Sequence, residues 1–192
     1  MTYQDRLRKK DYEVRPTSLR IAQEFVANYH YSQGGSNTAV YIHGLFHKQK
    51  PFVCLGIAWW IPPIKGAASR ICPEDWQKVL SLSRLVVVPG VPKNAAGFLI
   101  AQSIKHIAKE GKFSKLLTYA DTWQGHTGCI YKATNWRNEG LTEPTECWVT
   151  DDGRMVSRKA GPKTRTKAEM EALGYKLLGK FPKIRFVKDL TR

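Results

Sequence analysis

The feature that most constrains the fold is a β-forming run that stops abruptly and passes through a short loop into a helix. It lies in the stretch SRLVVVPGVPKNAAGFL, residues 83–99. Residues 80–88 are strongly β-forming, and the PGVP sequence that follows ends the strand. Residues 94–110 carry apolar residues at a three-to-four spacing, and Gly111 ends the predicted helix. The stretch therefore predicts a strand, a tight loop and a helix in succession.

The start of this helix is a candidate phosphate-binding site. Backbone N–H groups in the first turn of a helix have no intrahelical acceptors, and they lie at the positive end of the helix dipole. Ala95, Ala96 and Gly97 are small enough for a pyrophosphate to come close to these groups. A proline-rich turn with a purely structural purpose is the alternative interpretation.

The rest of the chain alternates between helical and β-forming patterns. Thr17 or Ser18 can cap a helix whose apolar residues recur at helical spacing as far as Tyr29. An antiparallel hairpin follows, in which the polar sequence HKQKP separates two β-rich runs. The remaining predicted elements are a strand over residues 116–120, a short helix over 125–133, and short strands around 147–156 and 176–187.

This order predicts an α/β fold of mixed α+β character. We expect one domain over residues 1–192, with a central mixed sheet flanked by helices. The four cysteines show no CxxC or CxxH pair, which argues against a zinc site or a disulfide framework. No apolar run approaches the roughly 18 residues of a membrane span, and the charged N-terminus lacks a secretory core, so we expect a cytoplasmic protein without a membrane partner.

The charge of the chain predicts a polyanionic partner. The net charge is +15, from 31 Lys and Arg against 16 Asp and Glu. Residues 154–192 contain 12 Lys or Arg and three Asp or Glu, and so contribute +9 of that excess. Basic residues that neutralise phosphates add affinity without reading sequence. We expect double-stranded DNA to contact this basic C-terminal segment, although a merely basic surface is the alternative.

Three further motifs, together with the segment already described, carry a resemblance to a known family. They are NYHYSQG at residues 28–34, YADTWQGH at 119–126 and GCIYKATNWRNEG at 128–140. The last resembles the acyltransferase segment in which a tyrosine-bearing helix leads into a strand. Together the motifs look like the Mom family of phage DNA-modification proteins, which have a GNAT-like N-acyltransferase fold. The resemblance covers residues 28–140 and leaves both termini outside.

The resemblance implies an activity, a cofactor and a set of site residues. Mom-family proteins convert the adenine N6 amino group of phage DNA to a carbamoylmethylated (acetamido) form, which protects the genome from host restriction. An acyl-CoA such as acetyl-CoA is the implied cofactor. The implied catalytic residues are His30, Tyr31, Asp121 and Tyr131. The implied cofactor-binding residues are Arg84, Val86, Lys93, Asn94, Ala95, Ala96 and Gly97.

The chemistry of His30, Tyr31 and Asp121 leaves two roles open. An imidazole, a phenol and a carboxylate form a mixed nitrogen and oxygen set that suits iron. Alternatively, Asp121 or His30 takes a proton from the adenine amine while Tyr131 protonates a departing thiolate. We favour iron over pure acid–base roles, because an exocyclic adenine amine is a poor nucleophile. A helix-end cap at His30 and a turn residue at Asp121 are the structural alternatives, and His126 is a further candidate.

Base recognition and DNA binding add the last predicted residues. An adenine must leave the duplex stack before its N6 can react, and an aromatic face holds an extruded base well. Trp123 is the best candidate for that role because it follows Asp121 closely. The candidates for phosphate contacts are Lys159, Lys163, Arg165 and Lys167.

Two other functions stay open at this point. One is a GNAT-type acetyltransferase that acts on a protein amine or on RNA, and the other is a DNA-binding protein without catalysis. The oligomeric state is also open, a homodimer included.

Overall fold

The computed structural model describes residues 6–34, 37–161 and 163–190. The helices in these ranges are α1 (Leu19–Tyr29), α2 (Lys65–Ile71), α3 (Ala95–Glu110), α4 (Cys129–Ala133) and α5 (Lys167–Ala172). The strands of the main sheet are β1 (Tyr12–Pro16), β2 (Tyr41–His47), β3 (Lys50–Ile61), β4 (Val79–Val87), β5 (Lys115–Asp121), β6 (Arg137–Leu141) and β12 (Lys183–Asp189). Five shorter strands complete the set: β7 (Thr145–Val149), β8 (Met155–Val156), β9 (Lys159–Ala160), β10 (Lys163–Thr164) and β11 (Lys176–Phe181).

The seven-stranded sheet confirms the predicted fold class. Its strand order is β1-β2-β3-β4-β5-β12-β6. Neighbouring strands are antiparallel except for β4 and β5, which are parallel. The parallel pair is joined by α3, as a crossover connection requires. The segment singled out in the sequence therefore forms the middle of the sheet.

The central parallel strands separate soon after they meet. Only residues 79–81 of β4 pair with residues 115–117 of β5, although both strands continue beyond that point. The Thr118 side chain donates a hydrogen bond to the Leu82 carbonyl over 3.1 Å where the ladder ends. On its other side β4 carries an extra residue, Ser83, because Trp59 pairs with Arg84 while Trp60 pairs with Leu82. Such a bulge bends a strand, and here it accompanies the opening of a gap between β4 and β5.

Helices cover both faces of the sheet, and a different helix packs on each face near the gap. Ile57, Trp59 and Val86 are buried in one cluster with residues of α1. Alternate side chains of the same strands, such as Ala58 and Trp60, pack with residues of α3. Because successive side chains of a strand point to opposite faces, α1 and α3 lie on opposite sides of the sheet.

The basic C-terminal segment is part of the fold rather than an appended tail. Strand β12 lies between β5 and β6 in the main sheet. Strand β11 pairs with β7, which also pairs with β8 in a three-stranded sheet. Residues 162, 191 and 192 of this segment lie outside the described ranges. Removing the whole segment would therefore take a central strand from the sheet.

Local signals explain where several elements begin and end. Ser18 caps α1 by accepting a hydrogen bond from the Ile21 N–H over 3.3 Å, as predicted. Gly111 ends α3 in the left-handed region, with φ of 67°. The short helix predicted from residue 125 begins later, at Cys129, because residues 122–124 form a 3-10 turn and Gly125 and Gly128 both have positive φ. None of the described helices is long and apolar enough to cross a membrane.

A buried polar network ties α3 to the sheet. The Ser103 hydroxyl lies 2.7 Å from His43 Nδ1 and 2.7 Å from the indole Nε1 of Trp60. Because the indole can only donate, the hydroxyl accepts from Trp60, and it lies within hydrogen-bond distance of His43 Nδ1. Burial and, to a smaller extent, the charge of the neighbouring His106 lower the pKa of His43 to about 4. His43 is therefore neutral in the folded protein at neutral pH.

This network predicts an acid-sensitive fold. A histidine whose pKa is lowered by folding contributes stability above its unfolded pKa, near 6.5, and that stability is lost as the pH falls towards 4. We expect the free energy of unfolding, measured with urea, to be about 2 kcal/mol lower at pH 5 than at pH 8 because of His43. His43→Gln keeps an acceptor for Ser103 and does not titrate, so its stability should fall less over that range. Equal pH dependence in the two proteins would contradict the assignment.

Candidate functional site

The end of α1 reaches the end of β5 on one face of the gap. Tyr31 follows α1 closely and donates a hydrogen bond from its hydroxyl to Asp121 Oδ2 over 3.2 Å. Asp121 is the last residue of β5 and is only 6% exposed. Lys183, the first residue of β12, is paired with Asp121 across the strands and places its ammonium 3.1 Å from the same oxygen. A buried carboxylate is costly unless it is paired, and these two partners satisfy it.

His30 lies beside Tyr31 as an uncharged imidazole. The two rings are 4.3 Å apart, and His30 Nδ1 accepts a hydrogen bond from the Ser32 backbone N–H over 3.1 Å. Burial and, second, the positive charge of Arg84 lower the pKa of His30 to about 4. An unprotonated Nδ1 leaves the proton of the neutral ring on Nε2. At neutral pH this histidine is neutral but weakly basic.

Tyr131 approaches the gap from the opposite face. It lies on α4 and packs against Trp136 and Phe186. Burial raises the pKa of the Tyr131 hydroxyl, and burial followed by the charge of Asp121 raises that of Tyr31. Both phenols keep their protons at neutral pH. A protonated phenol can donate a proton to a departing anion.

The turn between β4 and α3 has room for a phosphate group. A Cβ added at Gly97 would meet no atom within 4 Å, so open space lies beside the first turn of α3. Ala95 N–H is already bonded to the Pro92 carbonyl over 2.9 Å. The N–H groups of Ala96 and Gly97 belong to the first turn, where no intrahelical acceptor exists. Asn94 does not cap the helix, because its side chain accepts from the Leu7 N–H over 2.7 Å. The exposed Lys93 precedes it in the same turn.

The side chains of two predicted cofactor-binding residues, Arg84 and Val86, lie on the α1 face of the sheet and not on the α3 face. Arg84 donates from Nε and Nη2 to the Gly34 carbonyl over 3.2 and 3.0 Å, on the side of the sheet where His30 and Tyr31 lie. Val86 is buried in the cluster beneath α1. The bulge at Ser83 and the alternation of β4 turn both side chains away from α3. Only their backbone groups lie along the gap.

The residues proposed as iron ligands meet, but they do not fit a metal site. Asp121 Oδ2 is engaged by Lys183 and Tyr31, and His30 Nδ1 is engaged by a backbone N–H. Within the described ranges, no group of three or more His, Cys, Asp or Glu side chains is arranged to hold a metal. The sequence prediction of iron ligation therefore has no support in this geometry.

A cavity of about 400 Å³ lies beside Asp121 and gives Trp123 a place in the site. It is enclosed by the end of β5 and the sheet of β7, β8 and β11. Trp123 lines it, whereas the exposed His126 lies outside and contacts the edge of Tyr31, with 5.7 Å between the rings. Lys183 and Cys147 also line it, and the sequence reasoning missed both. Only the pairing of β12 with β5 reveals Lys183.

The predicted phosphate contacts lie on the surface of the C-terminal segment. Lys159, Lys163 and Lys167 are exposed, and Arg165 is half-buried. Lys163 forms an ion pair with Glu169 at 2.6 Å, and Lys167 forms one with Glu146 at 3.2 Å. Among the described acidic side chains, none is paired with Lys159. The Lys163–Glu169 pair is exposed and therefore worth little, so Lys163 can exchange it for a phosphate, whereas Glu146 is only 14% exposed.

The Asp121–Lys183 contact makes a prediction about stability. Lys183→Met removes the ammonium and leaves a buried carboxylate without its cation, which should lower the free energy of unfolding by about 1 kcal/mol, since Lys183 is partly exposed. Adding Asp121→Asn to this variant should restore part of the loss. Urea denaturation of the two single variants and the double variant measures this. Additive effects of the two changes would show that the contact has no energetic role.

Comparisons with solved structures agree on the fold. The chain is similar to the ribosomal-protein-S18-alanine N-acetyltransferase from Escherichia coli, with 11% identity, coverage of 94% of this chain and 95% of the other, and a TM-score of 0.54. It is also similar to spermidine N-acetyltransferase from Vibrio cholerae in complex with CoA and spermine, at 11% identity, 95% and 97% coverage and a TM-score of 0.55. A third similar structure is that of yncA from Salmonella typhimurium with its cofactor acetyl-CoA. The identity is 7%, the match covers 94% of this chain and 95% of the other, and the TM-score is 0.55. At these identities the likeness shows the GNAT-like fold alone.

A family model extends the resemblance beyond the motifs that suggested it. No curated protein matched this sequence. The model of the Mom protein family matches residues 11–187, which include β1 and most of the basic C-terminal segment that the motifs had left outside. Because this match spans most of the chain, the protein belongs to the Mom family.

Proposed function

We propose that the protein converts the N6 amino group of adenine in double-stranded DNA to the carbamoylmethylated form, using an acyl-CoA-type cofactor. The observation that carries this proposal is the position of Asp121. It ends β5 beside the gap in the sheet, contacts Tyr31 and Lys183, and lines the adjacent cavity. Family membership supports adenine as the acceptor. In phage DNA such a modification blocks host restriction.

The donor side of the reaction is the face of α3 and α4. An acyl-CoA, when bound, would present its thioester on this face, and the CoA thiolate would leave from there. Transfer through the thioester carbon alone gives an N6-acyl product, so the carbamoylmethyl form requires a nitrogen donor in addition to the acyl-CoA. The first turn of α3 would hold its pyrophosphate through the N–H groups of Ala96 and Gly97, aided by the charge of Lys93. Tyr131, with its raised pKa, supplies a proton at the hydroxyl on this face. Support comes from fold relatives whose structures contain CoA or acetyl-CoA.

The acceptor side is the face of α1 and the end of β5. Asp121 presents a carboxylate that accepts hydrogen bonds, and an amino group is a donor that it can orient. Tyr31 and Lys183 fix the position of that carboxylate. His30 is the nearby neutral base. The gap between β4 and β5 lies between Tyr131 on one face and Asp121 and Tyr31 on the other. A donor bound on one face can therefore reach an acceptor bound on the other face through the gap.

A GNAT-type acetyltransferase acting on a protein amine or RNA is the second candidate. The fold likeness to the alanine N-acetyltransferase favours it. The basic surface suits RNA as well as DNA. A DNA-binding protein without catalysis is the third possibility, and no feature of the gap favours it. Modification of DNA separates the proposed function from the other two.

The proposed activity predicts modified nucleosides in plasmid DNA. Mass spectrometry of DNA from cells expressing the wild-type chain should show carbamoylmethyladenine. Asp121→Asn and Tyr131→Phe should each reduce it by at least about 100-fold, the usual effect of losing an acid–base group. Asp75→Asn, on an exposed turn, and Tyr119→Phe, packed beneath α2, are matched controls that should retain it. Unmodified adenine despite abundant soluble wild-type protein would rule the proposal out.

The donor side predicts that Gly97 governs cofactor affinity. Gly97→Val places a side chain in the open space where the phosphate is proposed to bind, so calorimetry should show CoA affinity at least about tenfold weaker, with the melting temperature nearly unchanged. Gly66→Val is the matched control, because Gly66 lies in the first turn of α2 and also has no atom within 4 Å of an added Cβ. Equal loss of CoA affinity in both variants would contradict a phosphate site at α3.

A further inference from the structure

The cavity beside Asp121 has a lining that neither the gap nor the cofactor turn explains. It encloses about 400 Å³ between the end of β5 and the small sheet of β7, β8 and β11. Pockets for small molecules begin at roughly 300 Å³, so this one can take a nucleobase. Its lining includes Asp121, Trp123, Cys147, Val156, Phe181 and Lys183.

The apolar part of the lining suits a flat aromatic ring. Trp123 and Phe181 are both aromatic, and Met155 and Val156 of β8 add flexible and branched apolar groups. Aromatic side chains hold nucleobases by stacking, and a base removed from a duplex needs such contacts to replace its neighbours. An aliphatic or strongly charged ligand would leave these rings without a partner.

The polar part of the lining matches one particular hydrogen-bonding edge. The Asp121 carboxylate accepts hydrogen bonds, and the Lys183 ammonium donates them, with 3.1 Å between the two groups. The Watson–Crick edge of adenine offers the complementary pair, since its N6 amine donates and its adjacent N1 accepts. Cytosine offers the same pair through N4 and N3, and the choice of adenine comes from the proposed function. Thymine and guanine present a carbonyl where adenine has an amine, and an oxygen there would face the carboxylate.

The surroundings of the cavity suit the DNA backbone. The strands that follow its β8 wall carry Lys159 and Lys163, which are exposed. Arg158 lines the cavity itself and is bound to Glu146 at 2.9 Å. A duplex held by these cations through its phosphates would have a base within reach of the cavity.

We propose that this cavity receives the target adenine after it has swung out of the duplex. Trp123 and Phe181 stack on the extruded base, Asp121 accepts from its N6 amine, and Lys183 donates to N1. The base then lies with N6 at the end of β5, beside the gap. This assignment rests on the proposed function for the identity of the base, but it concerns binding, which is measurable without catalysis.

The test compares two 20-base-pair duplexes that differ by a single base. One carries an adenine opposite an abasic site, so that the adenine leaves the stack easily, and the other has abasic sites on both strands at that position. Wild-type protein should bind the first duplex about tenfold more tightly, the scale of one stacked base. Val156→Trp fills the cavity and should abolish this preference while retaining the affinity for the second duplex.

Two further variants keep the result interpretable. Val53→Trp is the matched control, because Val53 is 51% exposed on β3 and does not line the cavity, and it should keep the wild-type preference. Trp123→Leu removes a stacking surface without filling the cavity and should weaken the preference even if Val156→Trp fails to fold. Melting temperatures of all proteins check folding.

The outcomes separate this proposal from the proposed function. A folded Val156→Trp protein, or a folded Trp123→Leu protein, that keeps the full preference overturns the pocket. If such a variant also yields wild-type levels of modified adenine in plasmid DNA, the enzymatic function stands and the pocket alone is rejected. If the wild-type chain prefers the extrahelical adenine but leaves plasmid adenine unmodified, the pocket stands and the enzymatic function fails.

Discussion

The separation of β4 from β5 is the constraint on which the rest of the site depends. Parallel pairing lasts for three residues of each strand, and the hydrogen bond from Thr118 to Leu82 marks its end. Beyond this point each strand leaves backbone groups that the other does not satisfy. Buried backbone groups need partners, and an extended ligand lying along the gap is a natural source of them. The bulge at Ser83 bends β4 at the same level.

The gap also explains why residues from distant parts of the chain form one site. Tyr31 comes from the end of α1, Asp121 from β5 and Lys183 from β12, all on one face, while Tyr131 approaches from the other. In an unbroken sheet the backbone of the strands would separate Tyr131 from the three residues on the other face. A two-sided site suits a reaction in which donor and acceptor are separate large molecules.

Local patterns in the sequence predicted the central elements, whereas the candidate site residues came from the family resemblance. The β-forming run, the proline-rich turn and the apolar spacing of α3 are all short-range signals, and so is the Ser18 cap of α1. The sequence did not reveal Lys183, because its contact with Asp121 depends on strand pairing between residues 62 positions apart. The family resemblance assigned Arg84 and Val86 to the cofactor side, and the bulge that sets the direction of their side chains has no signature in composition. The sequence predicted a short strand around residues 176–187 but not its place in the main sheet, where burial of Phe186 and Val187 makes β12 part of the core.

Backbone hydrogen exchange with and without CoA tests most directly whether a cofactor binds at the gap. The account predicts slower exchange on CoA addition at the first turn of α3, residues 95–97, and along β4 after its pairing with β5 ends, residues 82–87. The amides of β9, β10 and α5 should be unaffected. Unchanged exchange at both predicted segments under saturating CoA, or protection confined to the C-terminal strands, would contradict it.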